Sequence, residues 1–237
     1  MLTNEVELSL RKSARIAGMW YLFLAITGSY ILFARQQVIV GGNAVATVRN
    51  LVENEFLYRT GIVSSLTSSV LFVFLVLALY RLFENVNKSS ARLMVALVLV
   101  QVPISFVVET FNISAVMISK GEIWKMLTIE ERQDSAMLFL KIHGYGVSTL
   151  KIFWGLWLLP LGRLVYQSLF IPKILGVILI VGGIGYVLDS LTNLLLPEYR
   201  QVIAPFGLVH SLGEILIILW LLIKGAALRT PPSLQGE

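Results

Sequence analysis

Six runs of roughly twenty mostly apolar residues, at 16–33, 61–82, 93–111, 137–162, 174–196 and 207–223, decide what this chain is able to fold into. A helix rises about 1.5 Å per residue, so each run is long enough, as a helix, to cross a hydrocarbon core of about 30 Å. Inside that core every backbone N–H and C=O has to be bonded within the segment, and an uninterrupted run of this length meets the condition as a helix. The chain is therefore predicted to be all-α: a polytopic membrane protein, one domain over 1–237, built as a bundle of six transmembrane helices. Composition agrees, since 57% hydrophobic and 14% charged residues contrast with about 45–50% and about 25% in soluble domains.

Two connections are long. Residues 43–58 read as an amphipathic helix, and 113–135, carrying Glu122, Lys125, Glu130, Glu131 and Arg132, read as a second surface segment. Both are predicted to be extracytoplasmic. The connections at 83–92 and 163–173 are short, and Pro172 suits the first turn of the span after it. The run at 16–33 follows Arg11, Lys12 and Arg15 but is too long for a signal-peptide core and lacks a small-x-small cleavage site, so it is expected to be retained.

With both termini inside, ten Lys/Arg fall on the cytoplasmic side and eight outside, leaving Lys151 within a span. Orientation follows basic residues near span ends, and Arg81, Lys88, Arg92, Arg163, Lys173 and Lys224 favour this topology. The expected location is a bacterial cytoplasmic (inner) membrane. A formal charge of +5 needs no nucleic acid, because anionic lipid of the inner leaflet is a sufficient partner. No cysteine is present, which removes disulfides, thiolate nucleophiles, iron–sulfur clusters and Cys-type zinc sites. Neither a metal-hydrolase H-E-x-x-H, a phosphate-cradling glycine loop nor a G-x-S-x-G elbow occurs.

Function then rests on polar residues inside the spans. A charged side chain near a helix centre costs about 2.5–3.5 kcal/mol on insertion scales, so Glu109, Asp189 and Glu214 need protons, partners or a metal. His210 and Glu214 are four residues apart and share one helix face. Tyr186, Thr192 and Asn193 share the face of Asp189 at helical spacing. Counting the rise inward, His143, Asp189 and Glu214 each lie roughly 10–12 Å below the outer surface, with Glu109 shallower. They are expected to meet in one polar cavity between spans three to six. Lys151 lies roughly 12 Å deeper than His143 and is expected to snorkel inward beside Trp154 and Trp157. Ser64, Ser65, Thr67, Ser68 and Ser69 read as a small-residue packing surface, and Arg59 as a counter-charge at the cavity mouth.

Several strings carry a family likeness: RKSARIAG at 11–18, YRTGIV at 58–63, FWGLWLLPLG at 153–162, IPKILG at 171–176, GYVLD at 185–189 and LWLLIKG at 219–225. Together they resemble a largely bacterial family of six-span membrane proteins catalogued as domain of unknown function four-three-eight-six. The resemblance implies that His143, Asp189 and Glu214 match positions where the family also carries polar residues. It also implies an acidic residue after the opening of span two and an arginine in mid-span three, where this chain has Ser65 and Val98.

Four functions compete at this stage. In a transporter, the acids and histidines are protonation or ion sites for a small molecule entering from outside. In a membrane-embedded hydrolase, His143, Asp189, His210 and Glu214 hold a divalent metal whose bound water attacks a lipid or amide. In a redox protein, His143 and His210 ligate a haem. In a structural or accessory subunit, the polar groups form a packing network and the amphipathic segments contact a membrane-protein partner.

Overall fold

The computed structural model describes residues 2–199 and 207–226. Among them the chain is entirely helical: α1 (Leu2–Val38), α2 (Ala44–Glu53), α3 (Glu55–Phe83), α4 (Lys88–Ser119), α5 (Ile129–Gln167), α6 (Lys173–Leu195), a 3-10 turn at Pro197–Tyr199, and α7 (Gly207–Ile223). Four helices, α1 from Glu7 onward, α3, α4 and α6, are long and apolar enough to cross a membrane. Only 17% to 33% of their most apolar windows is buried inside the protein. The rest faces outward, and exposed apolar area on that scale calls for lipid, since exposure to water costs about 25 cal/mol per Å². The fourth and sixth apolar runs fall in α5, which mixes Lys141, His143 and Lys151 into its sequence, and in the shorter α7.

Local chemistry sets the helix ends. Asn43 caps α2 by accepting from the Ala46 amide at 2.9 Å, and Asn87 caps α4 by accepting from Ser90 at 3.0 Å. A capping box opens α5: the Thr128 amide donates to Glu131 Oε2 at 2.7 Å, and the Glu131 amide donates to Thr128 Oγ1 at 3.2 Å. The segment 113–135 departs from the expected single surface stretch. No glycine or proline follows Phe111 before Gly121, so the helix runs on to Ser119. There Gly121 takes φ 68°, and bonds from Gly121 to Ile118 O and from Glu122 to Met117 O, both 2.9 Å, close a Schellman motif. Pro172 sits at the cap just before α6, and α4 continues through Pro103.

The chain forms two compact units, one from Met1–Leu22, Phe72–Leu99 and Lys151–Glu237, the other from Phe23–Leu71 and Val100–Leu150. Helices α1, α3, α4 and α5 contribute a segment to each, whereas α2 belongs wholly to the second unit and α6 and α7 to the first.

In the first unit, two glycine pairs bring the α5 and α6 backbones together. Gly162 and Gly176 face each other so closely that a Cβ on Gly176 would stand 2.5 Å from Gly162 O, and one on Gly162 2.6 Å from Gly176 O. Seven residues along each helix, a Cβ on Gly183 would stand 2.7 Å from Gly155 O. The reciprocal spacing is that of antiparallel helices packed through small residues. Beside this seam Trp157 is buried, with Phe72 edge-on at 4.8 Å and Tyr21 tilted at 5.9 Å.

In the second unit, Val38, Leu51, Tyr58, Ile62, Ala115, Val116 and Leu140 form the core, and Val48 of α2 packs with Ile118 and Ala136. Helix α2 thus turns one apolar face inward, as its sequence pattern requires.

Candidate functional site

The second unit holds a buried polar network drawn from four helices. Glu109 of α4 is 5% exposed and His143 of α5 is 2% exposed, with His143 Nε2 3.3 Å from Glu109 Oε1. The Glu109 carboxylate also accepts from Ser65 Oγ of α3 at 2.5 Å and from Asn112 Nδ2, one helical turn on, at 2.8 Å. Tyr58 of α3 donates its hydroxyl to Asn112 Oδ1 at 2.9 Å. The remaining imidazole nitrogen, His143 Nδ1, lies 2.7 Å from Arg35 Nη1 of α1.

This last contact assigns a proton. A guanidinium has donors and no acceptor, so Nδ1 must present its lone pair to Arg35. The single ring N–H of a neutral imidazole then sits on Nε2 and points at the Glu109 carboxylate. Arg35 and Glu109 carry opposite charges on either side of one neutral ring, and the ring relays between them. A cavity of about 10 Å³, room for about one water, adjoins the network. Its lining is Arg35, Tyr58, Glu109 and Asn112 with Ile31, Ala34, Gly61 and Ile62.

The first unit holds two further polar groups. The carboxylate of Glu214 on α7 accepts from Tyr21 Oη of α1 at 2.7 Å and from Tyr186 Oη of α6 at 3.1 Å. On α6, Asp189 Oδ2 accepts from Lys151 Nζ of α5 at 2.6 Å, and Asp189 Oδ1 from Asn193 Nδ2 at 3.1 Å. Trp154 stands edge-on to Tyr186 at 6.2 Å.

Each of the three residues expected to form one centre has partners within its own unit. His143 has Arg35 and Glu109, Asp189 has Lys151 and Asn193, and Glu214 has Tyr21 and Tyr186. The side chain of His210 lies outside the described residues. Among those described, no three His, Asp or Glu side chains are grouped to hold a metal ion. The cavity beside Glu109 is lined from α1, α3 and α4. Along the α5–α6 seam the glycine contacts bring backbone against backbone.

Lys151 does not snorkel away but pairs with Asp189. Arg59 is bonded to Glu55 on its own helix at 2.7 Å, away from the buried acids. Ser65 is a ligand of Glu109 as well as a small packing residue. The residues that sequence reasoning passed over are Arg35, Tyr21 and Tyr58. Arg35 follows the apolar run by only two residues, and a cation so close to a span end was the available signal. Gln101, two turns before Glu109 on α4, is 1% exposed, and neither amide atom is bonded to the described protein.

A family model described as "Domain of unknown function (DUF4386)" matches residues 16–225. An "Uncharacterized protein" of Archaeoglobus fulgidus is 36% identical over 77 residues, which is 32% of this chain and 44% of that relative. The matching stretch thus spans less than half of the relative's length. No solved structure matches.

Proposed function

Since this chain belongs to the DUF4386 family, with buried ionisable groups set in apolar helices, we propose that it is a membrane protein that couples the binding or transport of a small molecule to a proton. The observation that carries this reading is the Glu109–His143 contact at 3.3 Å, buried and beside a cavity. Histidine is the side chain that changes charge between about pH 5 and 8, and in a low-dielectric setting a carboxylate in hydrogen-bond reach makes the energy of that change depend steeply on what else is bound. Tyr186, Asp189, Asn193 and Glu214, with His210 one turn before Glu214 on α7, form a second candidate group for proton or ligand binding in the same protein.

In full, the proposal is a bundle of six spans in a bacterial inner membrane, with both termini cytoplasmic and the Glu109–His143 network in the outer half. Helices α5 and α7 supply the fourth and sixth spans, and α2 with the 120–128 turn lies on the extracytoplasmic side. The basic residues near the span ends support this orientation.

The test is a titration. In protein reconstituted in nanodiscs, His210→Gln leaves His143 as the one histidine, whose ¹⁵N signals report protonation directly. A His143 that takes up a proton between about pH 5 and 8, with Glu109→Gln displacing that titration, supports the reading. A ring that stays neutral across the whole range rejects it.

A further inference from the structure

Among the described residues Arg35 meets no carboxylate directly: no Asp or Glu oxygen lies within 4.0 Å of it, its bond goes to the His143 imidazole, and Glu109 carries the opposite charge on the far side of that ring. The Arg35 side chain is half-buried and lines the cavity that Tyr58, Glu109 and Asn112 also line. A guanidinium in that setting has donors to spare, arranged in the fork that matches a carboxylate or phosphate bidentately.

We infer that Arg35 is the binding residue for a small anion, a carboxylate or phosphate oxyanion, and that its capture by the anion lets His143 take up a proton. The inference rests on the proton-coupled reading above and names the ligand class of that site. The groups that face His143 and Arg35 are Tyr58 on α3, Glu109 on α4 and the two residues themselves on α5 and α1. While Arg35 stays on Nδ1, a proton adds to the ring only by displacing the guanidinium, because Nε2 carries the ring hydrogen and Nδ1 accepts from Arg35. An anion larger than the one-water cavity pairs with Arg35 from its half-exposed side, draws the guanidinium off Nδ1 and exposes the lone pair. A solvent proton then adds to Nδ1 and no other bond changes. The resulting imidazolium keeps its Nε2–H on the Glu109 carboxylate. One negative charge and one positive charge enter together, so the buried site gains no net charge.

Binding and protonation coupled this way obey reciprocity: whatever the anion does to the proton, the proton does to the anion. Acid therefore tightens anion binding, by up to about tenfold per pH unit where one proton is linked.

The experiment uses the full chain carrying His210→Gln in phosphatidylcholine nanodiscs, with acetate and inorganic phosphate as probes and His143 ¹⁵N shifts as readout. Titrating either anion at fixed pH moves His143 toward imidazolium, and the apparent Kd falls several-fold on acidification by one pH unit. A second arm replaces part of the lipid with phosphatidylglycerol and adds no soluble anion. A shift there assigns the anion to a lipid headgroup, and a shift only with acetate or phosphate assigns it to a free solute. Absence of a shift in both arms overturns the inference. So does a shift that persists in Arg35→Gln protein with native helicity by circular dichroism. The two proposals fail separately: a His143 that titrates with pH yet ignores anions leaves proton coupling standing and removes the anion, whereas a His143 that never titrates removes both.

Discussion

Replacing Lys151 by methionine keeps an unbranched side chain one atom shorter and removes the ammonium that Asp189 Oδ2 meets at 2.6 Å. What remains on Asp189 is the amide of Asn193 at 3.1 Å. Breaking a buried ion pair by deleting one partner costs about 3–5 kcal/mol, because the other charge stays buried without compensation. Here the Lys151 side chain is 28% exposed and that of Asp189 14%, so partial solvation lowers the cost to about 2–3 kcal/mol, or roughly 30- to 150-fold in the folding equilibrium. Asp189→Asn costs less, about 1 kcal/mol, since it leaves a flexible lysine free to reach solvent. The double variant leaves no buried charge and returns to within about 1 kcal/mol of the parent. The assay is equilibrium unfolding in mixed micelles, followed by tryptophan fluorescence, for the parent, both single variants and the double. The cycle is expected to give a coupling energy of about 2–4 kcal/mol. Single effects that simply add, with coupling below about 0.5 kcal/mol, refute the pairing.

The glycine seam makes a contrast within one protein: Gly155→Ala drives a methyl into the Gly183 carbonyl and Val187 and is expected to cost about 3 kcal/mol by thermal unfolding, while Gly144→Ala, with nothing within 4 Å, gains about 0.5–1 kcal/mol. Thr128→Ala removes the α5 capping box and is expected to lower stability by about 1 kcal/mol, visible as faster amide exchange in the first turn of α5. Bonds from the Thr128 backbone and hydroxyl hold the Glu131 carboxyl below its usual range. Its contribution is therefore complete above the ordinary carboxylate pKa and is lost as pH falls through the lowered one, so protection of that turn declines only in acid, and a decline on raising the pH contradicts the cap. Gln101→Leu exchanges an unbonded buried amide for an apolar side chain of similar volume and is expected to raise stability by about 1–3 kcal/mol; a loss of stability instead identifies a bound partner for that amide.

The helices were legible because their signal is additive: twenty apolar residues in a row outweigh any local ambiguity, and Glu109, Asp189 and Glu214 stand out against that background. Which polar residue meets which was not legible. Lys151 and Asp189 are 38 positions apart, and Arg35 and His143 are 108 apart, so their pairing depends on helix rotation and tilt, which a hydrophobic run does not encode. Counting rise per residue put Lys151 well below the acids, but a lysine stem reaches several ångströms toward its helix's N-terminal end, and that reach closed the gap. Arg35 was passed over because the apolar run ends at Phe33, whereas α1 continues as a helix to Val38 and carries the guanidinium to His143. Helix ends were missed for a related reason: Phe111 closes the apolar run, but the backbone stops only at Gly121, where a positive φ becomes available.

Arg35 holds His143 as a neutral ring with its hydrogen on Nε2, aimed at Glu109. In the His210→Gln protein at neutral pH, ¹⁵N spectroscopy of the remaining histidine measures that directly. The expected spectrum shows an unprotonated, hydrogen-bonded Nδ1 and a protonated Nε2, with the preference lost on Arg35→Gln. A hydrogen on Nδ1 with the lone pair on Nε2 contradicts it.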